Sequence, residues 1–401
     1  TVNIQTATPM TYVSSTVKQT NTSVVGVGST DKQILDIEVV TTGKHPVSVL
    51  NEIVFSTNGS TDANNDLAAA KLYSSGTTST FNLATATLVG SAVNNPNGTF
   101  TVTPASPLDL ESGTNYFWLT YDISGSATPG NIIDAEVDHI TINTVDEKPT
   151  PFAPAGNRQI EGALAGDYEV GTGFTVPGFA TIEDAVTALN TRGVSDAVNF
   201  ILIDPAYTVT APVVINRISG SNSTNVTTFK PGFGVSASIT NTGTGSLFTL
   251  HNADYVVFDG SNNGSSGRNA TLTTASTSDP VILFENDATN ITIKNCILES
   301  ANTTASSGAV VIGTTGAAGS GNDDIVLQNN IIQNRTGATY ANAIYAAGTA
   351  TGTNDNVSIT DNELANFTAI GIAVTGTGNG DNWNISNNSL YNNGTPATAQ
   401  T

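Results

Sequence analysis

Between residues 254 and 390 one short phrase recurs: NITIKNCIL (290–298), DIVLQNNII (324–332), NVSITDNEL (356–364) and NWNISNNSL (382–390), with a looser first copy, DYVVFDGSN, at 254–262. Aligning the copies puts Ile291, Ile325, Val357 and Trp383 in one column and Ile293, Leu327, Ile359 and Ile385 in another, two residues on. Strand alternation sends both columns inward. It sends Thr292, Val326, Ser358 and Asn384, then Lys294, Gln328, Thr360 and Ser386, to solvent. Next run Asn295, Asn329, Asp361 and Asn387, then Cys296, Asn330, Asn362 and Asn388. Asn tolerates the left-handed backbone of a tight corner, and stacked Asn side chains bond up the coil as a ladder. The pattern predicts a parallel β-helix. Counted between Asp254, Asn290, Asp324, Asn356 and Asn382 the repeats are 36, 34, 32 and 26 residues long. The surplus over three short strands must leave as loops such as SNNGSSGRNA and GTTGAAGSGN.

Ahead of the repeats, MTYVSSTV, ILDIEVVTTG, EIVFSTNGS, NYFWLTYDI and IIDAEVDHITI are strand-like runs separated by Gly, Pro, Asn and Ser, the pattern of a sandwich of antiparallel sheets. In NYFWLTYDI both faces carry aromatic residues, which predicts a central strand. The reading is all-β: a β-sandwich over 1–145, a Pro-rich linker at 146–164 and a parallel β-helix over 165–401. Pro149, Pro151 and Pro154 predict an extended linker. One helix is expected at about 181–192. Thr181 and Asp184 form a T-x-x-D cap, Ile182, Ala185, Val186 and Leu189 make an apolar stripe, and Gly193 ends it. Placed before the first coil, this helix caps the open end of the β-helix core.

A length of 401 residues suits two domains. Lys and Arg number 12 against 33 Asp and Glu, for a net charge of −21. Such a surface repels nucleic acid and anionic lipid, so neither is expected as a partner. The single cysteine, Cys296, excludes an internal disulfide. No apolar run has the ~18 residues of a spanning helix, so no membrane insertion is expected. Thr1 opens the chain with no signal peptide, which implies a removed leader or a fragment.

MTYVSSTVKQ (10–19), QILDIEVVTTG (33–43), FSTNGST (55–61), AKLYSSG (70–76), GTNYFWLTYDI (113–123), GNIIDAEVD (130–138) and PAGNRQIEG (154–162) resemble the sandwich module placed before sialidase-type β-propellers and other large domains in exported Bacteroidota proteins. The resemblance covers about the first 160 residues. It implies an extracellular, type IX-secreted cell-surface protein and carries no catalytic residues. The propeller's Asp-box phrase, S-x-D-x-G-x-T-W, is absent from the sequence. From about residue 165 the chain resembles pectate-lyase-like β-helices, which implies a right-handed coil.

Candidate chemistry is sparse. GNDD (321–324) is similar to the paired aspartates of polygalacturonase-like hydrolases, but Asp324 stands in a turn column that explains it structurally. Arg217, Arg268 and Arg335 are scattered, and Lys230 and Lys294 share no column with acids. His45, His139 and His251 lack metal spacing. Cys296 reads as a small buried substitute in an Asn column. Asp62, Asn64 and Asp66 place oxygen ligands at every second residue, as at the start of a calcium loop, so structural calcium is the candidate cofactor. Tyr340, Tyr345 and Tyr391 lie near coils without forming a platform. Trp383, Ile385 and Leu390 in the last phrase have no capping element after them and predict an assembly end. Further coils or other copies of the chain would dock there; surface glycans are the other candidate partner. The expected function is a non-enzymatic, adhesive stalk or self-assembling fibre. The alternative is a secreted polysaccharide lyase or hydrolase, or a carbohydrate-binding module.

Overall fold

Two helices, Ala63–Asp66 and Ile182–Arg192, interrupt an otherwise all-β chain in a computed structural model that describes residues 8–175, 177–314, 319, 321–375 and 378–392. The tail from 393 and most of the loop 315–320, both used above, lie outside the described residues. The chain packs as two units, Thr1–Ala163 and Leu164–Thr401.

In the first unit the strand Gly113–Ile123 is central, as its two aromatic faces predict. It pairs antiparallel with Lys32–Thr42 on one side and Leu67–Gly76 on the other. A second antiparallel sheet forms around Val49–Ser56, which pairs with Glu136–Ile142 and Thr99–Val102. Ile37, Leu72 and Leu119 from the first sheet share one buried core with Ile53, Phe55 and Ile140 from the second. The Pro-rich stretch ends in the strand Arg158–Glu161, which pairs with Ile132–Ile133 and with Val25–Gly26. The Arg158 guanidinium is buried and donates to the carbonyls of Ser23, Val24 and Gln33. These bonds replace its lost hydration, although burial still draws its pKa down to about 10.

The second unit is a solenoid of three parallel sheets with nine, seven and six strands. Its inward columns are fully buried at Ile291, Ile293, Ile325 and Ile359. The corners are made as the Asn pattern requires. Asn290, Asp324, Asn356 and Asn382 have φ between 54° and 63°, and Asn295, Asn329, Asp361 and Asn387 between 52° and 59°, the left-handed region that Asn and Asp tolerate. Behind the second corner, Asn330 donates its Nδ2 to the Ile293 carbonyl at 2.8 Å and its backbone N–H to Asn362 Oδ1 at 2.9 Å. Asn362 repeats this with Leu327 and Asn388. Each side chain thus supplies hydrogen bonds that the tight corner denies its neighbours.

The first copy of the phrase sits one residue away from the sequence alignment. Val257, Phe258 and Asp259 pair with Thr292, Ile293 and Lys294, and Tyr255, with φ 55°, occupies the turn column in place of Asp254. The cause is aromatic packing. Phe200, Phe229 and Phe258 are in register on successive rungs and stack inward at 4.8 and 5.1 Å. A one-residue slip would turn Phe258 out.

The helix runs from Ile182 to Arg192. The Thr181 hydroxyl accepts the Asp184 N–H at 3.0 Å, and Gly193 closes it at φ 65°. Ile182, Ala185, Val186 and Leu189 join the solenoid core.

Candidate functional site

The corrected register sets the chemistry of the widest solenoid sheet. Lys230, Asp259 and Lys294 each follow an inward residue, Phe229, Phe258 and Ile293, so alternation turns all three outward on consecutive rungs. Lys294 therefore does share a column with an acid, contrary to the sequence expectation. Lys294 Nζ lies 3.2 Å from Asp259 Oδ2, while Asp259 Oδ1 accepts Asn295 Nδ2 at 2.7 Å and the Ser261 N–H at 3.0 Å. With its oxygens held this way, Asp259 positions Lys294. Lys230 makes no ion pair among the described residues.

Beside this column the sequence PGFG makes a tight turn. The Val235 N–H donates to the Gly232 carbonyl at 3.0 Å, and Gly234 has φ 75°, the sign that the third residue of a type II turn requires. The residue between the glycines, Phe233, is 91% exposed, the most exposed large apolar side chain among the described residues. Asn262 Nδ2 donates to the Val235 carbonyl at 2.9 Å, which ties this turn to the loop at 260–268. That loop is itself anchored. Arg268 donates through Nε and Nη2 to the carbonyl and Oδ1 of Asn329, each at 2.8 Å, and pairs with Glu363. Its guanidinium, with help from the Tyr391 hydroxyl, holds the Glu363 carboxyl below its ordinary value.

Together the turn, the loop and the lysines enclose a cleft of about 540 Å³ whose lining includes Thr228, Lys230, Phe233, Asp259, Asn262 and Lys294. That volume lies in the range of small-molecule sites. A hollow of similar size in the first unit, about 530 Å³, is lined by Ser74, Thr87, Leu88, Asp109 and Glu111 among others, with no cation and no exposed aromatic ring. The solenoid cleft has both.

The residues singled out in the sequence fall elsewhere. Asp324 is a corner residue like its column neighbours. Asp323 Oδ1 accepts the Asp355 N–H at 2.7 Å, and Asp355 Oδ1 accepts the Asp381 N–H at 2.7 Å, so these carboxylates bind one rung to the next. Burial, with the nearby carboxylates of Asp355, Asp324 and Asp287, raises the Asp323 pKa. Cys296 is buried in the Asn column, its thiol pushed up to about 12 by burial, which leaves it protonated and inert at neutral pH.

The three residues of the calcium pattern point to different partners. Asp66 is fully buried and accepts the Thr128 N–H and Asn131 Nδ2, each at 2.8 Å. Asp62 Oδ2 accepts Asn65 Nδ2 at 2.8 Å, and Asn64 donates to Asn65. No group of three His, Cys, Asp or Glu suited to a metal ion occurs among the described residues. Tyr340 is wholly buried, and its hydroxyl donates to the Ala365 carbonyl at 2.8 Å.

Trp383, Ile385 and Leu390 are on the last described rung. Trp383 packs against the core and donates Nε1 to the Asn354 carbonyl at 2.9 Å, while Ile385 and Leu390 are 46% and 45% exposed. No helix among the described residues is long and apolar enough to cross a membrane.

Residues 14–146 match the family model described as the N-terminal domain of BNR-repeat neuraminidase. No curated protein matches the chain. Among solved structures, similarity extends to the Hadza microbial sialidase Hz136, with 16% identity, a TM-score of 0.29, and 36% of this chain and 31% of that one covered. The chain thus spans about a third of the sialidase's length. The catalytic domain of Agl-KA matches at 13% identity and a TM-score of 0.30, over 100% of this chain and 77% of that one. The catalytic domain of a GH87 alpha-1,3-glucanase in complex with nigerose matches at 9% identity and a TM-score of 0.18, over 98% and 96%. The expectation of a non-enzymatic chain is corrected on the family match: the model matched by the first unit is that of the N-terminal domain of BNR-repeat neuraminidase.

Proposed function

We propose that this chain is a carbohydrate-active protein whose solenoid holds a polysaccharide in the cleft beside Phe233. The observation that carries the reading is Phe233 itself, 91% exposed on a hydrogen-bonded turn above a cleft lined by polar groups. An exposed phenyl ring costs solvation free energy unless something covers it. The C–H face of a pyranose is suited to cover an aromatic ring, while Asn262, Thr228 and the lysines supply hydrogen bonds for hydroxyls around the sugar's rim. The neuraminidase-type first unit supports the same direction. An extracellular setting belongs to this reading, supported by the low content of charged residues, the excess of acids among them and the single, buried cysteine.

The test is a panel of soluble and insoluble polysaccharides, scored for retention of the full chain and for release of reducing ends. Retention by at least one polysaccharide is expected, weakened ~10-fold or more in Phe233→Ala with the melting temperature unchanged, because an exposed side chain contributes little to folding. Retention by none, or equal retention of wild type and variant, would contradict the proposal.

A further inference from the structure

Residues 164–401 contain 18 Asp and Glu but only six Lys and Arg, and two of those six are lysines, Lys230 and Lys294. Both line the same cleft. Asp259 is the one acid in that lining, and it is paired with Lys294, so the cleft as a whole carries one excess positive charge at Lys230. A chain of net charge −21 repels anions at long range. An anionic ligand can therefore be held here only by short-range contact with the lysines of the cleft itself.

Resting on the reading of the cleft as a sugar site, we infer that it selects anionic glycans, in which a carboxylate or sulfate on the sugar is met by Lys230 and Lys294 while the ring stacks on Phe233. The geometry suits this division of labour. Lys230 lies one residue before the turn that presents Phe233, on the rung next to Asp259, and Lys294 is one rung beyond. Rungs repeat about every 4.8 Å, so Lys230 and Lys294, two rungs apart with Asp259 between them, are spaced by about 9.6 Å, and acidic groups on alternate units of an extended polysaccharide can meet them. Asp259 has a second effect. By holding Lys294 in place it fixes the charge spacing, and it disfavours cationic or amino sugars less than a bare pair of lysines would. The preference for anions should therefore be strong at low salt and fade as salt screens Lys230.

The experiment uses the full chain and two matched probe pairs that differ only in charge: dextran sulfate against dextran, and polygalacturonate against its full methyl ester. Affinity electrophoresis is run for wild type, Lys230→Gln, Lys294→Gln, the double variant, Phe233→Ala and, as a control for overall charge, Lys44→Gln. The anionic member of at least one pair should bind ~10-fold or more tighter than its neutral partner at low salt. The double lysine variant should lose that preference, and Lys44→Gln should keep it. Equal binding within both pairs, binding to neither member of either pair, or a preference that survives the double substitution would overturn the inference.

Phe233→Ala separates the two levels. If it weakens neutral and anionic members alike while the lysine variants change nothing, the sugar cleft stands and its charge selectivity falls. If the lysine variants act and Phe233→Ala does not, the sugar platform itself falls, and the inference with it.

Discussion

Asp259 and Lys294 stand 3.2 Å apart on adjacent rungs, both outward because Phe258 and Ile293 beside them are packed inward. Lys294 is 37% exposed at its side chain and Asp259 17%, so the pair is screened by water and contributes about 1 kcal/mol or less to stability. Its consequence is for charge. Asp259→Asn should leave the melting temperature within a few degrees of wild type and tighten binding of dextran sulfate ~2-fold or more at low salt. Weaker binding would show that the carboxylate itself contacts the ligand.

The inward and outward columns differ sharply in what they tolerate. Ile359 is fully buried between Leu327 and Ile385, its partners on the neighbouring rungs. Ile359→Asp would bury an unpaired carboxylate and should cost about 3 kcal/mol or more. Thr360, outward between Gln328 and Ser386, should accept Asp with a change within about 0.5 kcal/mol. Chemical denaturation of the two variants checks this; equal loss in both would mean the register is reversed.

Asp134 in the first unit gives a pH signature. Burial, and to a smaller extent the charge of Glu136, raises its pKa to about 6, against the lowering effect of the Ala135 N–H and Gln19. The folded state thus holds this proton more tightly than the unfolded chain, whose carboxyl titrates near 3.9. Between those values the unfolded state binds fewer protons, so stability contributed here falls as pH rises from about 4 to about 6 and stays lower above. Asp134→Asn should remove that slope. Melting temperatures at pH 4, 5, 6 and 7 are the measurement, and wild-type and variant curves that run parallel would exclude Asp134 as its source.

Much of the fold was legible because it is written in spacing. The solenoid follows from apolar residues two apart and from Asn at corners where a left-handed backbone is required, and the helix from Thr181, its apolar stripe and Gly193. The first copy of the phrase misled because Tyr255 fills a corner where Asn or Asp is expected, and the true register is set by contacts between Phe200, Phe229 and Phe258 that no single strand displays. That slip of one residue also hid the pairing of Asp259 with Lys294. Phe233 carried a signal, a lone aromatic between two glycines in PGFG, but its exposure depends on the turn and on Asn262, whose side chain bonds to Val235 from 27 residues away. At 62–66 the alternating oxygens do not show in the sequence that a short helix turns Asp66 inward, where it accepts hydrogen bonds from Thr128 and Asn131.

Backbone hydrogen exchange of the full chain, with and without the polysaccharide that retains it best, tests the central claim most directly. The expected result is slowed exchange on ligand addition at residues 231–235 and 260–264, the turn bearing Phe233 and the loop that Asn262 ties to it, with the rest of the solenoid unchanged. Protection confined to other residues, with these two segments exchanging as fast as in the free protein, would contradict it.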